Sequence, residues 1–150
     1  MSLSVQVSTL SSMPRYHPWR HLRDRHPDVH VVPRCDLRPG VLGRWTPDGR
    51  LELSARSSQR QRRSSLAHEI VHLERGPVSR DPRLRDREER VVDEIAARRL
   101  IPLELLIDAI RWGQGTVDHE ELFVDPGMLL ARVRTLTKAE QAAIDEAIHD

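Results

Sequence analysis

The chain has 150 residues and 38% hydrophobic content, enough for one small domain with a modest core. Charged residues make up 31%, yet the net charge is only +1, so neither nucleic acid nor an anionic membrane is favoured as the main partner. Aromatic residues are scarce at 3%, which argues against base-stacking surfaces.

The single cysteine, Cys35, can form neither an intrachain disulfide nor a zinc ribbon, and it fits a cytoplasmic setting. The opening MSLSVQVSTLSS lacks a basic start and a long apolar core, so it does not read as a signal peptide. No run approaches the roughly 18 apolar residues of a transmembrane helix. Residues 1–13 are Ser-rich and read as a flexible tail. Residues 14–150 read as a single domain, with 116–150 a helical subregion at its carboxyl end.

In chain order, Pro18 opens a short helix to about Arg25. Val29 to Val32 reads as a strand. Val41 to Trp45 and Arg50 to Ser54 read as two more, joined through TPDG into a hairpin. Ser57 or Ser58 caps a helix to about Arg75, which Gly76-Pro77 ends. SRDPRLRD reads as a polar loop before a helix from about Arg87 to Leu100. Pro102 starts a third helix through Trp112. HEELF and DPGMLLARVRTL suggest two short helices, the second capped by Asp125. Thr137 with Glu140 forms a capping-box pattern for a last helix to about His149. Strands followed by helices indicate an α+β domain.

Three histidine pairs share the spacing H-x-x-x-H: His17 with His21, His26 with His30, and His68 with His72. On a helix, residues four apart lie on one face and can reach one ion. Pro18 makes His17 a cap outside its helix. Pro27 and the extended Val29 to Val32 separate His26 from His30. Both pairs read as surface histidines near turns. His68 and His72 instead sit in a proline-free helix, LAHEIVHLERG, with Leu66, Ile70 and Leu73 as its apolar stripe. Glu69 follows the first histidine, placed to reach a metal-bound water without being a ligand. This is the H-E-x-x-H arrangement of two metal ligands and a general base.

Catalytic zinc takes three protein ligands and leaves a position for water. The longer H-E-x-x-H-x-x-G-x-x-H form is excluded, since Arg75 and Val78 occupy its Gly and His positions. The next helix, REERVVDEIAARRLIP, offers Glu89 as third ligand. Asp93, one turn later, is placed to accept a hydrogen bond from the far nitrogen of a ligating histidine. Ala96 and Ala97 allow the two helices to approach closely. Leu51 and Leu53, in RLELS, read as an edge strand that pairs with extended substrate. Tyr16, His119 and the many arginines are candidates for a second oxyanion donor.

HEIVH followed by EERVVDEIAARRLIP resembles the ImmA/IrrE family of metallopeptidases, whose second helix reads E-x-x-A-N-x-F-A-x-x-L-L-M-P. Glu89 stands at the ligand Glu, and Leu100-Ile101-Pro102 at the closing Leu-Met-Pro. Asp93 stands where Asn is usual, Val92 where Ala is, and Ile95 where Phe is. The match covers about Leu51 to Pro102 well and the last third loosely. The front segment RYHPWRHLRDRHPDVHVV is similar to short actinobacterial or phage members. The resemblance implies a zincin-like minimal fold, a small N-terminal antiparallel sheet packed on a helical bundle carrying the H-E-x-x-H helix. It implies one zinc ion per chain and a helix-turn-helix transcriptional repressor as protein substrate. Two alternatives stand beside this reading. HEELFVDPGMLLARVRTL has the outline of a DNA-binding helix-turn-helix, with Arg132 and Arg134 to meet phosphate. A zinc-binding but inactive relative acting through protein interaction has the same ligand set.

Overall fold

The computed structural model describes residues 15–149, so the expected tail at 1–13 lies outside the described residues. The described elements are α1 (Pro18–Arg25), β1 (Val31–Arg34), β2 (Gly43–Trp45), β3 (Leu51–Ser54), α2 (Gln59–Arg75), α3 (Pro82–Leu100), α4 (Leu103–Trp112), α5 (Pro126–Arg134) and α6 (Lys138–His149). The class is α+β, a small sheet on a helical bundle, as the order of elements predicts.

The sheet has the order β1-β3-β2. The hairpin β2-β3 is antiparallel, with Gly43 opposite Leu53 and Trp45 opposite Leu51. β1 lies parallel to β3 on its other side, Val31 opposite Leu51. The sheet is therefore mixed, not antiparallel throughout. The chain reverses between β1 and β2 and again in the hairpin, so β1 runs in β3's direction. β3 is thus the central strand. The expected edge-strand role of RLELS is corrected by this topology: both sides of β3 are already paired, and Leu51 and Leu53 are 0% and 2% exposed. Pro33, which cannot donate to a ladder, is tolerated because β1 is an edge.

α2 lies between two cores. Leu66 and Ile70 pack with Leu22, Leu51 and Leu53 under the sheet. Ala67 and Val71 pack with Val92, Ala96 and Ala97 of α3. The small alanines let the two helices close together. Ser58 and Gln61 form a reciprocal capping box at the start of α2. Gly76 ends it with φ of 93°, a conformation that favours glycine.

α3 begins at Pro82, earlier than the expected Arg87. The side chain of Asp81 accepts from Arg83 N at 2.9 Å, with Pro82 at the first helical position, so Asp-Pro is a helix start inside what reads as a loop. HEELF is not helical. Leu122 and Val124 are buried while Phe123 between them is exposed, an alternation that no helix face provides. Phe123 has φ of 56°, and its carbonyl accepts from Arg63 at 2.9 Å. The helix-turn-helix outline therefore has no first helix. Its Arg132 is 2% exposed and bonded to Ile101 O at 2.7 Å and to Glu140, so it is withdrawn from phosphate. Among the described residues, no helix is long and apolar enough to cross a membrane.

Candidate metal centre

Helical periodicity puts His68 and His72 together on one side of α2, next to the buried Ala67 and Val71. Glu89 approaches them from α3. Its carboxylate oxygens lie 3.2 Å from His68 Nε2 and 2.9 Å from His72 Nε2. The two Nε2 atoms are 3.1 Å apart. Three lone-pair donors so close together repel one another unless a proton or a metal cation sits among them. The set is His₂Glu, a donor combination suited to zinc.

Asp93, one turn beyond Glu89, meets His68 Nδ1 at 2.8 Å. That contact turns Nε2 of the ring toward Glu89 and holds the tautomer. Burial pushes the His68 pKa down. The Asp93 hydrogen bond, with Glu69, Asp93 and Glu89 nearby, outweighs burial and holds it above its ordinary value. The pocket thus favours positive charge. His72 Nδ1 is buried without a hydrogen-bond partner among the described residues.

Glu69 is separated from the three-residue cluster and faces the edge strand β2. Burial raises its pKa, and the neighbouring His68, His72 and Trp45 only partly offset that. Trp45 Nε1 is buried beside Glu69 and has no hydrogen bond of full geometry among the described residues. β2 passes directly over the carboxylate. A Cβ on Gly43 would stand 3.4 Å from Glu69 Cγ, in van der Waals contact, and 3.2 Å from Leu53 Cδ2, which would have to give by a few tenths of an ångström.

The cluster sits where two arms of a cleft meet. One arm, about 710 Å³, runs between β2 and the segment after α2, with Trp45, Leu73 and Val78 among its walls. The other, about 440 Å³, is lined by Leu42, Ser64, Asp93 and Met128. Gly43, His68 and Glu69 belong to both.

The structure brings together His68, Glu69, His72, Glu89 and Asp93. It leaves Leu51 and Leu53 in the core. Neither Tyr16 nor His119 lines either arm; Tyr16 instead bonds His21 Nδ1 at 2.6 Å. Gly43 and Trp45 are the site residues missed from sequence. Their only signal was membership of the hairpin's first strand, and nothing local says that this strand is the one beside α2.

Comparison with known families matches the one described as Peptidase_M78, IrrE N-terminal-like domain, over residues 25–134. The chain belongs to this family. A metallopeptidase-type function follows in general terms for an M78 domain. The match takes in both α2 and α3, and with them every residue of the cluster. No curated protein and no solved structure matches the chain.

Proposed function

We propose that the chain is a zinc-dependent endopeptidase of the cytoplasm, with His68, His72 and Glu89 as ligands of one zinc ion and Glu69 as general base. The observation that carries this reading is the convergence of His68 Nε2, His72 Nε2 and Glu89 within 3.2 Å of one another at the junction of two cleft arms. Bound there, zinc supplies Lewis-acid chemistry, lowering the pKa of water from ~15.7 towards ~7 and polarising a carbonyl.

The protein's own groups do the rest. Asp93 holds the His68 ring so that Nε2 stays turned toward Glu89. Glu69 takes the proton of the attacking water and returns it to the leaving amine. Burial raises its basicity, which aids that transfer at neutral pH. Trp45 Nε1 lies beside Glu69 and has no hydrogen bond of full geometry among the described residues, so it is left to donate to substrate.

β2 offers the substrate a strand to pair with. Ser54 N bonds Leu42 O, and Thr46 N bonds Arg50 O, each at 2.9 Å. Bonded pairs alternate in an antiparallel ladder, so Arg44 is bonded inward and the backbone groups of Gly43 and Trp45 point to the free edge. An extended peptide pairing there crosses the cluster with chain on both sides, which favours internal cleavage over trimming of ends. The substrate we infer is a helix-turn-helix transcriptional repressor, the protein class implied by family resemblance.

Metal analysis of the purified chain tests the ligand set. Wild type should carry a zinc ion that Glu89→Ala loses and Glu69→Gln keeps. Equal zinc in wild type and Glu89→Ala would overturn the assignment.

A further inference from the structure

The amino-terminal histidines meet in a way that neither of their H-x-x-x-H pairs anticipates. His21 lies on α1, and His26 caps the carboxyl end of that helix. Both face Glu74, in the last turn of α2. One nitrogen from each ring and one Glu74 oxygen all lie within 4.8 Å of one another. His21 is fixed through both nitrogens: Nε2 is 3.3 Å from Glu74 Oε1, and Nδ1 is 2.6 Å from the Tyr16 hydroxyl. His68 is held on the same plan, with Asp93 on one nitrogen and Glu89 near the other. An outer partner on the far nitrogen sets the tautomer and orientation of a ligating histidine. Arg99 donates to both Glu74 oxygens, at 3.0 and 2.9 Å, and so fixes the carboxylate from its other side. A carboxylate has roughly four lone-pair sites, so Oε1 keeps one for the face it shares with His21.

We propose that His21, His26 and Glu74 form a second zinc site, separate from the cleft, that fastens α1 to the carboxyl end of the helix bearing His68 and His72. Two imidazoles and one carboxylate are a zinc donor set, with a fourth position open to water. Ligand atoms at zinc distances stand about 3.3 Å apart, as His21 Nε2 and Glu74 Oε1 already do at 3.3 Å, so closing the group falls to the ring of His26, by at most about 1.5 Å from the 4.8 Å limit. The site is independent of the cleft reading. It ties α1 to Glu74, two residues past His72 on α2.

The test is a zinc titration of chelator-stripped protein, with bound ions counted by native mass spectrometry. Wild type, Glu89→Ala, His26→Ala and the double variant are compared. The expected counts are two, one, one and none, and zinc should raise the melting temperature of Glu89→Ala but not of the double variant. Metal-free His26→Ala must melt with metal-free wild type for its count to be used. Glu74→Gln is the second variant if it does not. One ion in wild type and none in Glu89→Ala would overturn this site and leave the cleft reading intact. One ion in both, lost with His26→Ala, would support this site and overturn the cleft ligands. No ion in wild type would overturn both.

Discussion

Replacing Glu69 with Gln keeps the shape of the side chain and removes its ability to take a proton. Turnover should fall by at least about 100-fold, while zinc content stays at the wild-type level. Asp93→Ala acts differently. It frees Nδ1 of His68, now 2.8 Å from the carboxylate, and should weaken zinc affinity by about 10- to 100-fold, read by competition with a chromophoric chelator. Leu53→Ala should cost about 3 kcal/mol of folding stability in a denaturant titration, because Leu53 is core and not substrate surface. At this scale the sequence disclosed what is local. His68, Glu69 and His72 share one helix, and Glu89 with Asp93 share another, so periodicity alone aligns each set. Trp45, Gly43 and the meeting of His21, His26 and Glu74 depend on how distant segments dock, and no spacing encodes that.

Among elements, β2 is the one whose position matters most to the site. Gly43→Val adds branches beyond a Cβ that already stands 3.2 Å from Leu53 and 3.4 Å from Glu69. The variant should fold, since β2 is at the sheet edge, but kcat/KM should fall on the order of 10- to 100-fold as Glu69 is displaced. Unchanged kinetics would remove β2 from the substrate path. Helix ends marked by caps were legible: Ser58, Asp125 and Thr137 each start a helix as their side chains predict. Asp81-Pro82 was an equally good start that its charged surroundings concealed. Which strand is central was not legible. Leu51 and Leu53 flank Glu52 in the alternation of a half-exposed strand, yet Glu52 is itself buried at 7% exposure, held by Arg34 and Arg44 at 3.2 and 2.6 Å.

Across the whole molecule, the carboxyl-terminal helices close the core behind α3 through one ionic knot. Buried Arg132 bonds Ile101 O and Glu140, and Glu140 also accepts from Arg98 at 2.9 Å. Arg132, first among its partners, holds the Glu140 carboxyl down to about 2, from 4.5. A carboxyl with a lowered folded pKa gives its full stabilisation above about pH 4.5 and loses it as pH falls towards 2. Acid unfolding should steepen in that window. Glu140→Gln should flatten it and cost about 3 kcal/mol at neutral pH, since it strands a buried guanidinium. The final third reads weakly from sequence because α5 and α6 each bring a single buried apolar residue to the core, Met128 and Ile144, and the ion pair of Arg132 and Glu140 adds to them.

We propose that the cleft hydrolyses peptide bonds with Glu69 as base and zinc at His68, His72 and Glu89. The most direct measurement is the appearance of new amino termini in an extended polypeptide incubated with zinc-loaded wild type, beside zinc-loaded Glu69→Gln. Internal cleavage by wild type, abolished in a Glu69→Gln protein that still carries its zinc, is the predicted result. Cleavage at equal rates by both, or none by fully loaded wild type on extended polypeptides and helix-turn-helix repressors alike, would contradict it.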